Sequence, residues 1–160
     1  MRWAVARWCS CPGTGAVTKA LIARGIDASR LILVEFDPNF CRLLRKRYPE
    51  ATVIQGDAYY QSYICRIPRS TIELGLTGRL DCLDNNVGIG SKGSVVEESE
   101  DAWHRVMSVN VDSMFLTCKH AIPAMKASGG GAIVNVSSIS ALRPRGLTTY
   151  TVSKGAVIAL

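Results

Sequence analysis

The sequence predicts an α/β domain built on a parallel sheet, and three observations predict it. Short apolar runs of strand length, such as Leu31-Ile32-Leu33-Val34 and Ala132–Val136, read as strands buried on both faces. Segments with apolar residues at helical spacing separate these runs, so strand and helix alternate along the chain. Loops rich in Gly and Asn follow the strands, at Pro12-Gly13-Thr14-Gly15 and Asn85-Asn86-Val87-Gly88.

Each element has a local justification. Trp3–Cys9 is a first strand, weakened by Arg7, and the Pro12–Gly15 loop leads into a helix over Ala16–Arg24 with Val17, Ala20 and Leu21 on one face. Leu31–Val34 is the second strand and ends at Glu35. Asp37-Pro38 starts a helix, with Pro38 at its first position and Phe40, Leu43 and Leu44 as its apolar stripe. Thr52-Val53-Ile54 is a third strand ending at Gly56-Asp57. Residues 58–80 hold Tyr59, Tyr60 and Tyr63, and Pro68 interrupts the crossover helix expected there. Leu80–Leu83 is the fourth strand. Ser99 caps a long helix from about Glu100 to Met125, in which Trp103, Val106, Val109, Phe115 and Ala121 recur at helical spacing. The turn Gly129-Gly130-Gly131 precedes the strand Ala132–Val136, and Tyr150 lies at the start of a last helix that runs to Leu160.

Composition narrows the function. A chain of 160 residues suits one domain, and 48% hydrophobic residues exclude whole-chain disorder, collagen or coiled coil. No apolar run approaches the ~20 residues that cross a bilayer, and the N-terminus lacks the apolar core of a secretory signal. The expectation is a soluble cytoplasmic protein. The net charge of +6 sits in the first half: residues 1–80 carry 12 Lys and Arg against 6 Asp and Glu, while residues 81–160 carry 7 of each. This reads as a solvated basic helix around Arg42, Arg45, Lys46 and Arg47 rather than a nucleic-acid surface. The six cysteines form no Cys-x-x-Cys pair, so they are expected to be free, mostly buried thiols, with no metal site.

Tyr150-Thr-Val-Ser-Lys154 carries the strongest chemical signal. A Tyr and a Lys four apart share one helical face, where the ammonium stabilises a phenolate and makes the tyrosine a general acid/base. Ser138, twelve residues before the tyrosine, offers a hydroxyl to polarise a carbonyl. Asn110 interrupts the apolar face of the long helix, where a buried amide needs partners.

These residues resemble the middle of a short-chain dehydrogenase/reductase. Asn85-Asn86-Val87-Gly88 is similar to the family's Asn-Asn-Ala-Gly loop, and Val109-Asn110-Val111 to the segment bearing its asparagine. Ile133–Ser138 is similar to its fifth strand and serine, and Tyr150 with Lys154 to its catalytic pair. The resemblance implies that Tyr150 donates the proton and Lys154 also holds the nicotinamide ribose. It further implies that Ser138 orients the carbonyl, Asn110 supports a proton-relay water, and Asn86 and Gly88 border the cofactor. The substrate implied is a small carbonyl or alcohol. Asp84 departs from the family, which has an apolar residue there, and Val87 replaces alanine.

The first half lacks that family's opening Thr-Gly-x-x-x-Gly-x-Gly. Pro12-Gly13-Thr14-Gly15, Leu33-Val34-Glu35-Phe36-Asp37-Pro38 and Gln55-Gly56-Asp57-Ala58 instead resemble a class I S-adenosylmethionine-dependent methyltransferase. That resemblance implies that Glu35 holds ribose hydroxyls, Asp57 the adenine amine, and Gly13 and Gly15 the far end of the cofactor. The chain thus reads as a single Rossmann-like, three-layer α/β/α domain over 1–160, with sheet order 3-2-1-4-5. Within it, 1–60 is an adenosine-binding half, 61–79 a junction, and 80–160 a dehydrogenase-like catalytic half. Glu35, twenty residues beyond Gly15, has the spacing of a dinucleotide fold's ribose acid. The expected cofactor is NAD, with S-adenosylmethionine as the alternative. An oxidoreductase ranks first, ahead of a methyltransferase-like protein or an inactive chimera. The dehydrogenase resemblance implies that the helix 100–125 and the helix from Tyr150 form a dimer, and the apolar edge Ala132–Val136 is a template for association, so a homodimer or larger assembly is expected.

Overall fold

The computed structural model describes residues 15–35, 37–55 and 80–160, with the backbone alone for 7–10. Five strands form one sheet: β1 (Arg7–Ser10), β2 (Leu31–Glu35), β3 (Thr52–Gln55), β4 (Cys82–Asn85) and β5 (Ala132–Asn135). Every pairing is parallel, in the order β3-β2-β1-β4-β5. This is the order the sequence predicts. The helices are α1 (Ala16–Ala23), α2 (Pro38–Arg47), α3 (Glu100–Met107), α4 (Ser113–Ala127) and α5 (Thr148–Ala159).

Register shows that the helices cover both faces. Paired residues in a parallel sheet share a face, and successive residues alternate. Leu33 aligns through Cys9 with Asp84, whereas Ile32 aligns through Trp8 with Leu83. Leu31 and Leu33 pack with Val17 and Leu21 of α1, Leu44 of α2 and Tyr48 just beyond it. Leu83, on the opposite face, packs with Cys118, Ala121 and Met125 of α4. A fully buried leucine such as Leu33 or Leu44 contributes about 2 kcal/mol by transfer. The two clusters form the core on either side of the sheet.

The capping residues do what the sequence predicts. Asp37 accepts from Asn39 N at 2.6 Å and Phe40 N at 3.3 Å, with Pro38 at the first helical position. Ser99 caps α3 through Ala102 N at 3.2 Å. The basic run Arg45-Lys46-Arg47 closes α2, where cations complement the helix dipole. Cys41 and Cys118 are buried thiols, and Cys82 is half-buried.

Four details differ from the sequence reading, the first being the fourth strand, which covers Cys82–Asn85 where the sequence predicts Leu80–Leu83. Phe40 is exposed, and Cys41 and Leu44 form the buried stripe of α2. Trp103 and Phe115 also reach solvent. The long helix is not uniform: a π-helical turn, Ser108–Asp112, separates α3 from α4. The strand and helix expected within 1–6 and 58–79 lie outside the described residues.

Candidate active site

The C-terminal ends of β1, β4 and β5 define the site, because strand order reverses between β1 and β4. The chain leaving β4 runs past this end as the loop 86–99, and α5 packs against it. Asn85, the last residue of β4, is buried. Its amide donates to Asn135 Oδ1 at 2.8 Å, and its oxygen accepts from Thr117 at 2.9 Å, so it ties β4 to β5 and α4.

Asn110 lies in the π-helical turn and is 0% exposed. The Ser113 hydroxyl donates to the Val109 carbonyl at 2.5 Å, and Ser113 N reaches Ser108 O, an i to i−5 bond. This widened turn carries the Asn110 side chain, and such turns are frequent at functional sites. Asn110 Oδ1 accepts from Ile89 N at 2.8 Å, while Nδ2 donates to Ile89 O at 3.0 Å and Ser153 Oγ at 2.9 Å. Its amide is thereby fully engaged, clamping the loop after β4 to α5.

Lys154 is buried to 4% exposure in the second turn of α5. Its Nζ donates to Val136 O at 2.8 Å and Val87 O at 3.4 Å. Burial disfavours the ammonium and lowers its pKa from the ordinary 10.5. Tyr150 lies one turn earlier, with Lys154 Nζ 6.0 Å from its ring centroid. Gly88 closes the other side. A Cβ there would meet Lys154 Nζ at 3.1 Å and Asn110 Oδ1 at 3.6 Å, so any side chain would crowd the lysine.

Ser138 follows β5 and begins a 3₁₀ turn over Ile139–Ala141. Its Oγ accepts from Ser140 N at 3.2 Å and lies 3.3 Å from Ser140 Oγ. The neighbouring Ser137 is committed elsewhere, donating to Lys154 O at 2.6 Å. The serine read as catalytic is therefore the one whose hydroxyl is not spent on α5.

The other end of the site is less fully described. Gly15 precedes α1 with φ 84°, a conformation glycine adopts without strain, and its carbonyl accepts from the Tyr48 hydroxyl at 3.3 Å. Glu35 closes β2, is 5% exposed, and accepts from Asp37 N at 3.0 Å. Asn86 is half-buried beside Gly88. Gly13 and Asp57 lie outside the described residues, as does the junction 61–79. The structure thus gathers Gly88, Asn110, Tyr150 and Lys154, with Ser138 on the adjoining segment, and sets Gly15 and Glu35 at the same edge of the sheet.

Sequence reasoning missed Ile89 and Ser153, which hold the Asn110 side chain, and Ser91, which accepts from Tyr150 N. Ser153 stood beside Lys154 in the Tyr-to-Lys segment, and a small hydroxyl between two functional side chains was the available signal.

Comparison with known proteins bears on the whole chain. A family model described as short chain dehydrogenase matches residues 16–160. The chain belongs to the short-chain dehydrogenase family. An oxidoreductase of Thermotoga maritima, uncharacterized, is 42% identical over 120 residues, covering 74% of this chain and 46% of the relative. A trans-4-hydroxycyclohexanecarboxylate dehydrogenase of Sinomonas cyclohexanicum is 48% identical over 65 residues, 41% of this chain and 25% of the relative. This chain therefore spans less than half the length of either relative. A crystal structure of a short-chain dehydrogenase from Streptomyces avermitilis superposes with a TM-score of 0.85 at 23% identity, over 98% of this chain and 58% of that one, and shows the same fold. The family match takes in all but the first residues of the segment 12–59, which resembles a methyltransferase. The comparisons thus give no support to a methyltransferase-like first half or to a chimeric origin.

Proposed function

We propose that the chain is the cofactor-binding and proton-transferring part of a nicotinamide-dependent oxidoreductase that interconverts a small secondary alcohol and its ketone. One observation carries this reading. The buried ammonium of Lys154 stands between Gly88, the Val136 carbonyl and the ring of Tyr150, with Asn110 fixed behind it.

The residues present fit a nicotinamide dinucleotide. Gly88 leaves bare backbone over Lys154, where a side chain would fill the space. Gly15, Glu35, Asn86, Gly88 and Lys154 would hold it along the C-terminal edge of the sheet, with Glu35 on the adenosine ribose. When bound, it supplies or accepts the hydride. Tyr150 gives its phenolic proton to the ketone oxygen and takes it back from the alcohol. Lys154 stabilises the phenolate so formed by its charge. Ser138 donates to the substrate oxygen and orients it. Asn110 holds the loop and α5 at a fixed separation, so the Tyr150 hydroxyl keeps its position through the transfer. S-adenosylmethionine is disfavoured because the family model that matches residues 16–160 is that of a dehydrogenase.

The Sinomonas relative is named for a substrate whose secondary alcohol sits on a six-membered ring, so cyclohexanone with NADH is the first probe. Turnover is followed as loss of NADH absorbance. Tyr150→Phe should lower kcat by roughly 100- to 10,000-fold while leaving NADH affinity near that of the unchanged chain. Lys154→Ala should damage both, and Ser138→Ala should lower the rate alone. Turnover that survives Tyr150→Phe refutes the assignment.

A further inference from the structure

The segment Val87–Gly93 contacts Asn110 or α5 at every second residue. Val87 O accepts from Lys154 Nζ, Ile89 is clasped at both N and O by Asn110, Ser91 Oγ accepts from Tyr150 N at 3.1 Å, and Gly93 O accepts from Thr148 N at 3.2 Å. The segment thus lies along Asn110 and α5 for its whole length, touching them with the backbone of Val87, Ile89 and Gly93 and the side chain of Ser91.

Helix α5 depends on that segment. The first turn of a helix leaves its N–H groups without intrahelical acceptors. The residue before α5 is Leu147, which supplies no side-chain cap. The acceptors come instead from residues more than fifty positions earlier: Gly93 O for Thr148 N and Ser91 Oγ for Tyr150 N. A third tie, from Thr149 Oγ1 to Glu98 Oε2 at 2.9 Å, fastens the same turn to the far end of the loop. Ser91 is buried, and its Oγ lies on the backbone nitrogen of the residue that carries the phenol.

We infer that Ser91 is a positioning residue, a helix cap supplied from a distant loop that sets where the Tyr150 phenol stands relative to Lys154 and Ser138. This rests on the assignment of Tyr150 as proton donor. Ser91 touches neither substrate nor cofactor in this role. It acts by fixing the first turn of α5, and through Ile89 and Val87 the same rail fixes Asn110 and Lys154.

The test compares the unchanged chain with Ser91→Ala, Ser91→Thr and Tyr150→Phe, using NADH and cyclohexanone. A threonine keeps the acceptor oxygen. A misplaced reacting group can cost about a hundredfold, so Ser91→Ala should lower kcat by about tenfold or more with KM for NADH held within about twofold. Ser91→Thr should recover most of that loss. The Tyr150 amide hydrogen should exchange faster in Ser91→Ala than in the unchanged chain or Ser91→Thr. Should Ser91→Ala fail to fold, Ser91→Cys takes its place, because sulfur is a weak acceptor. An unchanged kcat in Ser91→Ala, with Tyr150→Phe inactive, overturns the inference and leaves the reading of Tyr150 standing. An equal loss in Ser91→Ala and Ser91→Thr, or a KM for NADH that rises as kcat falls, assigns Ser91 a merely structural part and also overturns it. Turnover that survives Tyr150→Phe, or its absence in the unchanged chain, removes the reading itself and the inference with it.

Discussion

Replacing Asn110 with alanine should destabilise the fold far more than its size implies. The side chain is 0% exposed and makes three hydrogen bonds, two of them to the backbone of Ile89. Its removal leaves Ile89 N–H, Ile89 C=O and one lone pair of Ser153 without their partner. A buried polar group left unsatisfied costs about 1–3 kcal/mol. Ile89 is half-buried, which favours the low end, so the two backbone groups together give a loss of about 2–5 kcal/mol against a total stability of about 5–15 kcal/mol. For a domain of this size that corresponds to a fall in Tm of roughly 5–15 °C. Asn110→Asp preserves shape and one acceptor but sets a second oxygen against Ile89 O, so it should be no better than alanine. Thermal melts followed by circular dichroism, with urea unfolding for the free energy, decide the matter. A loss below about 1 kcal/mol in both variants would show that the π-helical turn and the loop after β4 hold together without the clamp, against the reasoning here.

Lys154 gives a pH dependence of definite sign. Burial lowers its pKa in the folded chain, so between that lowered value and 10.5 the unfolded chain holds the proton that the folded chain has released, and stability contributed by this group rises with pH. The stability of the unchanged chain minus that of Lys154→Met should therefore increase as pH climbs toward 10.5; a flat or falling difference contradicts the burial argument. Glu35, buried at the end of β2, should accept two ribose hydroxyls and repel a 2′-phosphate, so calorimetric titration should give tighter binding of NADH than NADPH, and the reverse order would reject its role. We also predict a homodimer or larger assembly, because β5 exposes Val134 at 53% while α4 exposes Phe115 and Ile122, and α5 Val152 and Ile158. A monomer in light scattering at high concentration would refute it.

Local signals made most of the fold legible. Apolar runs placed β2, β3 and β5 within a residue or two, and Asp37-Pro38 and Ser99 marked two helix starts because capping chemistry is written in adjacent residues. The phase of the helices was less legible. Phe40, Leu43 and Leu44 have helical spacing, but so do Cys41, Leu44 and Tyr48, and only packing on Leu31 and Leu33 selects the second set. In the long helix the π-helical turn adds one residue, which rotates everything after it by roughly 100° relative to a continuous α-helix. A single stripe through Trp103, Val109 and Phe115 assumed no such rotation.

The candidate site divides along the same line between local and distant. Tyr150 and Lys154 are one turn apart on one helix, so their partnership needs no tertiary information. Asn110 was conspicuous as an amide on an apolar face. Its partners Ile89 and Ser153, and the pairing of Ser91 with Tyr150, link residues 21, 43 and 59 positions apart and exist only once β4 and α5 are side by side. The resemblance of the first half to a methyltransferase has a physical origin too. A tight loop after the first strand and an acid at the end of the second are what any parallel sheet needs to hold an adenosine ribose at that edge. In the roles proposed for them, Gly15 and Glu35 would meet that shared requirement for any cofactor that carries adenosine. What discriminates is the chain as a whole: the dehydrogenase family model runs through both halves, from residue 16 to 160, and the other end of the sheet holds a lysine buried beside a tyrosine.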